Sequence, residues 1–96
     1  MRQNNDESLK EVLHKLVEHY RWKGRLNQER IRAVWQERMG RTINDYTTDI
    51  RVFGQKLYIS ISSASLRQEL SMEKSKIRDM MNEALGEAFL QEVIIR

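Results

Sequence analysis

The stretch LYISISSASLRQEL, residues 57–70, changes period half-way along. Leu57, Ile59 and Ile61 alternate with Tyr58, Ser60 and Ser62, the pattern of a strand with one buried face. From Leu66 and Leu70 onward the apolar residues recur at helical spacing. A strand that hands over directly to a helix in so short a chain argues for an α+β fold. The serines at the junction invite two readings. Ser65 with Gln68 makes a capping box, and Ser62 or Ser63 is an alternative N-cap. A helix start also offers free N–H groups to an anion, but no glycine-rich phosphate loop accompanies this one. Competition between serine side chains and the backbone is reason enough for their presence.

Downstream, Leu66, Leu70, Ile77, Met81 and Leu85 predict one long helix over 63–85 that Gly86 stops, and Val93-Ile94-Ile95 predicts a short strand within 90–96. Upstream, Ile50 and Val52 share one face of a strand over 48–53, and Gly54-Gln55 turns it into the strand 56–62 as a hairpin. Further upstream, Leu9, Val12, Leu13, Leu16, Val17 and Tyr20 form an apolar stripe, with Ser8 and Glu11 as its capping box. A basic connection over 21–27 follows. Asn27 then caps a second helix, 28–39, whose inner face is Ile31, Val34, Trp35 and Met39 and whose end is Gly40. The expected order is α-α-β-β-α-β, an α+β domain over 8–96 behind a flexible tail, 1–7. A helical crossover between the last two strands makes them parallel, so the three-stranded sheet is mixed, with helices packed on one face.

Composition narrows the function. The chain has 96 residues, enough for one small core, and no cysteine, which removes disulfides, thiolate nucleophiles and thiolate metal sites. Its two histidines, His14 and His19, are five residues apart and do not share a helix face, so they read as surface residues; no metal or cofactor is expected. The polar start lacks the apolar core of a signal peptide, and no apolar run is long enough to span a bilayer; a cytoplasmic protein is expected. No serine lies in a nucleophile elbow, and Glu69 and Glu73 have basic neighbours, so no catalytic residue is assigned.

The charge is uneven. Arg21, Lys23, Arg25, Arg30, Arg32, Arg38 and Arg41 face only Glu29 and Glu37 between residues 21 and 41, a local +5 in a chain whose net charge is +3. Such an excess suits nucleic-acid phosphates or an acidic protein surface; an ordinary solvated helix face carries the same residues. The outer face of the hairpin would show Arg51 and Phe53 beside Lys56 and Tyr58, cationic groups among aromatic ones, as a single strand requires for neutralisation and stacking. Plain cross-strand packing is the other explanation. Trp35 reads as core, whereas Trp22 covers a helix end or marks a contact surface.

Taken together, Val34-Trp35 before Gly40, then Gly54, Leu57, Ile59, Ile61, Ser62, Ser63, Glu69 and Leu70, a lysine at 74 or 76, Asn82, Leu85-Gly86 and a closing strand resemble the DciA-like family of bacterial proteins. The resemblance runs over about residues 9–96. It implies a KH-like fold and a non-enzymatic role in DNA replication, as an operator or loader of the DnaB-type replicative helicase. It further implies binding of single-stranded or duplex DNA through basic surface. The Gly-x-x-Gly clamp of nucleic-acid-binding KH domains is absent, and many members carry a C-terminal extension beyond the point where this pattern ends. An RNA- or ribosome-associated KH-like protein, or a pure protein-interaction module, are the alternatives.

Overall fold

A computed structural model of the chain describes residues 5–96. The elements are α1 (Asn5–Arg38), α2 (Gly40–Tyr46), β1 (Thr47–Phe53), β2 (Lys56–Ile61), α3 (Ala64–Ser71), α4 (Lys74–Leu85) and β3 (Glu92–Ile95). The sheet has the order β1-β2-β3, antiparallel between β1 and β2 and parallel between β2 and β3. The expected α+β class and mixed three-stranded sheet are therefore observed. Of the expected tail, residues 1–4 lie outside the described part, and α1 already runs from Asn5.

Three boundaries differ from expectation, each for a physical reason. The connection over 21–27 is helical, so the two helices expected between Ser8 and Met39 are one helix of 34 residues. Nothing in Arg21-Trp22-Lys23-Gly24-Arg25-Leu26-Asn27 forbids helix, and Gly24 costs only about 1 kcal/mol relative to alanine. Stopping and renucleating a helix there costs more than propagating it. Ser8 and Asn27 thus lie inside α1 and cap nothing. The supposed polar link after Gly40 is α2, entered through Gly40 at φ +83°. Asn44 from α2 donates to the carbonyls of Gln36 and Gly40, 3.1 and 2.7 Å away, satisfying the end of α1. The helix expected over 63–85 breaks at Met72-Glu73 into α3 and α4. Its apolar stripe has no member between Leu70 and Ile77, so that turn has nothing to bury.

At the strand-to-helix junction Ser63 is the cap, its hydroxyl accepting from the Leu66 N–H at 3.3 Å. Ser65 contacts the Ser63 hydroxyl, and Ser62 donates to the Tyr46 carbonyl, both at 3.3 Å. α4 ends at Gly86, whose φ of +76° suits a residue without a Cβ. Asn82 then pins the following loop, its amide donating to the Leu90 carbonyl at 2.9 Å and its oxygen accepting from the Leu90 N–H at 2.8 Å.

One face of the sheet, made by Ile50, Leu57, Ile59, Ile61 and Val93, packs against Ile31 and Trp35 of α1, Leu70 of α3 and Ile77, Met81 and Leu85 of α4. Trp35 is 0% exposed and its indole donates to the Thr47 hydroxyl at 3.0 Å. The body is about 20 Å across, but the molecule is 62 Å long because α1 overshoots the sheet. Leu9, Val12, Leu13, Leu16, Val17 and Tyr20 are all exposed, so this apolar stripe does not face the core. No described helix is long and apolar enough to cross a membrane.

Candidate nucleic-acid interface

The other face of the sheet is open. Because side chains alternate along a strand, burying Ile50, Leu57, Ile59 and Val93 turns Arg51, Phe53, Lys56, Tyr58 and Ile94 outward. The register sets Arg51 opposite Tyr58, Phe53 opposite Lys56, and Tyr58 opposite Ile94. Arg96, just beyond β3, donates its N–H to the Ile59 carbonyl, and its guanidinium carbon lies 4.9 Å from the centre of the Tyr58 ring. That distance is within cation–π range.

The edge of β1 is closed by α1. Arg32 donates from Nε and Nη2 to the Ile50 carbonyl, at 3.3 and 3.0 Å. Gln28 Oε1 accepts the Val52 N–H at 2.8 Å. These contacts satisfy backbone groups that an edge strand otherwise offers to another chain. They also leave a hollow of about 600 Å³ lined by Gln28, Arg32, Arg51, Val52, Phe53, Tyr58 and Arg96. Gln28, Val52 and Phe53 also line a larger groove, about 950 Å³, that runs along α1 past Arg25, Lys23 and Arg21 to Tyr20 and Val17. Two candidate surfaces that are separate in sequence, the basic stretch and the hairpin, thus meet along one seam between α1 and β1.

Not every candidate residue is brought there. Lys23 is tied to Glu87 at 2.8 Å, and Arg21 pairs with Glu18 at 3.4 Å. Arg25 is exposed in the groove. Arg30 and Arg38, two and six residues from Arg32, project from other sides of α1 and are exposed. Arg41 is exposed on α2, 3.9 Å from Asp45. Arg32 is half-buried and committed in part to Ile50. Arg51 pairs with Asp49 at 2.8 Å and Lys56 with Glu92 at 3.7 Å. Exposed pairs of this kind are worth about 0–1 kcal/mol, so a phosphate can replace the carboxylate at little cost. Arg96 and Gln28 were absent from the sequence candidates. Carrying the alternation Val93, Ile94, Ile95 one residue further finds Arg96, whereas Gln28 has no signal without the position of the β1 edge.

Phe53 is 78% exposed and Trp22 also stands in solvent on α1. His14 and His19 are exposed as expected. Among the described residues no group of histidine and carboxylate side chains is arranged to hold a metal.

The profile of the family described as "Dna[CI] antecedent, DciA" matches residues 8–95, nearly the whole chain. The chain belongs to the DciA family. DciA-family membership supports a role related to DNA replication, and the family is associated with the replicative helicase. Comparison with curated proteins and with solved structures gives no match.

Proposed function

We propose that this DciA-family chain is a non-catalytic replication adaptor with a KH-like fold, which binds DNA along the α1–β1 seam and engages the DnaB-type helicase to assist its loading. The observation that carries the DNA part is the open sheet face, where Arg51 and Arg96 flank Tyr58, with Phe53 and Lys56 alongside. Arginines supply phosphate neutralisation and the rings supply stacking, the two components of single-strand binding without sequence preference. Arg25 and Arg21 extend the track along α1. Arg32 acts chiefly as the clamp that holds α1 on β1, and so fixes the shape of the hollow. The helicase part is carried by family membership alone.

The test is a titration of labelled single-stranded DNA by fluorescence anisotropy. Replacing Arg51 and Arg96 together by alanine is expected to weaken binding about tenfold and to flatten the logarithmic salt slope by roughly 1.4, since each single-strand phosphate contact contributes about 0.7. No binding at low salt by the unaltered protein rejects the DNA reading. A charge reversal of Arg30 and Arg38, which lie away from the seam, that by itself abolishes binding moves the site to another side of α1. Capture of the helicase with and without single-stranded DNA, after nuclease treatment, tests the second half. Retention only in the presence of DNA rejects a direct contact.

A further inference from the structure

We propose that the exposed half of α1 is a homodimer interface, in which two copies pack their N-terminal helical halves antiparallel. The apolar stripe does not end where the sheet ends. Leu9, Leu13, Leu16 and Tyr20 continue through Gly24 and Asn27 to Ile31 and Trp35 at steps of three and four residues. The last three lie under the body; the first four, with Val12 and Val17 beside them, have nothing over them. These six apolar side chains are 45–67% exposed.

Three features select a second copy as the occupant. The first is area. At half exposure, six large side chains offer on the order of 600 Å² per copy, so two copies reach the roughly 1,200 Å² at which specific interfaces begin. A patch of that size lies at the upper end of what monomeric surfaces expose. The second is self-complementarity. The stripe is symmetric about the midpoint between His14 and Lys15: an antiparallel copy sets Leu13 against the partner's Leu16, and Leu9 against the partner's Tyr20. No carboxylate lies within the stripe.

The third is direction. The stripe faces the same side as the chain's own sheet, so a parallel copy would run into that sheet. An antiparallel copy instead ends its helix at the body's edge. There Tyr20, Val17, Phe53 and Phe89 line the mouth of the 950 Å³ groove that the partner's Leu9 approaches. With 1.5 Å per residue, the two Arg32 clamps then stand roughly 50 Å apart, at opposite ends of the paired helices. On the reading proposed above, such an assembly carries two DNA tracks, though the dimer itself does not depend on that reading.

The experiment is sedimentation equilibrium of the full chain from about 5 to 200 µM, a span that covers micromolar association. The mass is expected to rise from 11.5 kDa toward twice that value. The variant Leu13→Glu with Leu16→Glu is expected to remain monomeric throughout. Both positions are exposed in the monomer, so its cooperative unfolding checks that it is folded. Orientation is read by disulfide trapping, which the absence of cysteine makes clean. Leu9→Cys mixed with Tyr20→Cys is expected to give a linked dimer, and neither alone. A monomer at every concentration, a dimer unaffected by the double glutamate variant, or self-linking of Leu9→Cys each overturns the proposal. The first outcome leaves the stripe to a different protein.

Discussion

The two halves of α1 have similar sequence periodicity and opposite fates. From Asn27 to Trp35 the inner residues are buried, and Arg32 and Gln28 close the β1 edge. From Leu9 to Tyr20 apolar residues at the same spacing stand in solvent. Periodicity reports that a helix has an apolar face, but what covers that face depends on elements far away in sequence. The sheet is about as wide as the C-terminal half and does not reach the N-terminal half.

The strongest way to break this contrast is to remove one anchor from each half. Trp35→Ala empties the centre of the core and loses the bond to Thr47, so it is expected to cost about 3–5 kcal/mol in urea denaturation. Leu16→Ala, measured at concentrations low enough for the monomer, should move stability by less than about 0.5 kcal/mol. Equal losses would mean that the N-terminal half is packed against its own chain. Between the extremes lies the clamp. Arg32→Ala leaves the Ile50 carbonyl without its donor and is expected to cost about 1.5–3 kcal/mol. If Val52 and its neighbours then exchange amide hydrogens faster while α4 does not, the loss is local to the β1 edge.

One change has the opposite sign. Asn27 is 2% exposed, and its Nδ2 has no hydrogen-bond partner. A buried unsatisfied amide is destabilising, and alanine is the better helix former. Asn27→Ala should therefore raise the midpoint of thermal unfolding, with a gain of about 1 kcal/mol. A fall instead would show that the amide makes a bond important to the join between the two halves.

Asn27 also shows how far the sequence reading reached. Asparagine before a run of helix formers is a sound N-cap signal, and it misled because the preceding seven residues tolerate helix and the chain has no proline to interrupt them. At the strand-to-helix junction the same local logic called for a serine cap but left Ser62, Ser63 and Ser65 open; the cap is Ser63, not the Ser65–Gln68 box. For the candidate interface, Arg51, Lys56 and Tyr58 were legible from alternation alone. Arg30 and Arg38 were grouped with Arg32 by proximity in sequence, and the helix turns them elsewhere. Lys23 counted toward the local excess of the basic stretch, but Glu87, 64 positions away, pairs with it.

By itself the sequence determined the α+β class, the hairpin, the parallel return of β3, a serine cap at the strand-to-helix junction and the outward set of the hairpin. Each depends on periodicity or on chemistry within a few residues. Only the tertiary structure decided that α1 is continuous, that Arg32 and Gln28 close a strand edge, that Arg96 joins Tyr58, and that half of an apolar stripe is uncovered. Those outcomes depend on where one element ends relative to another, and side-chain spacing along a single element carries no such information.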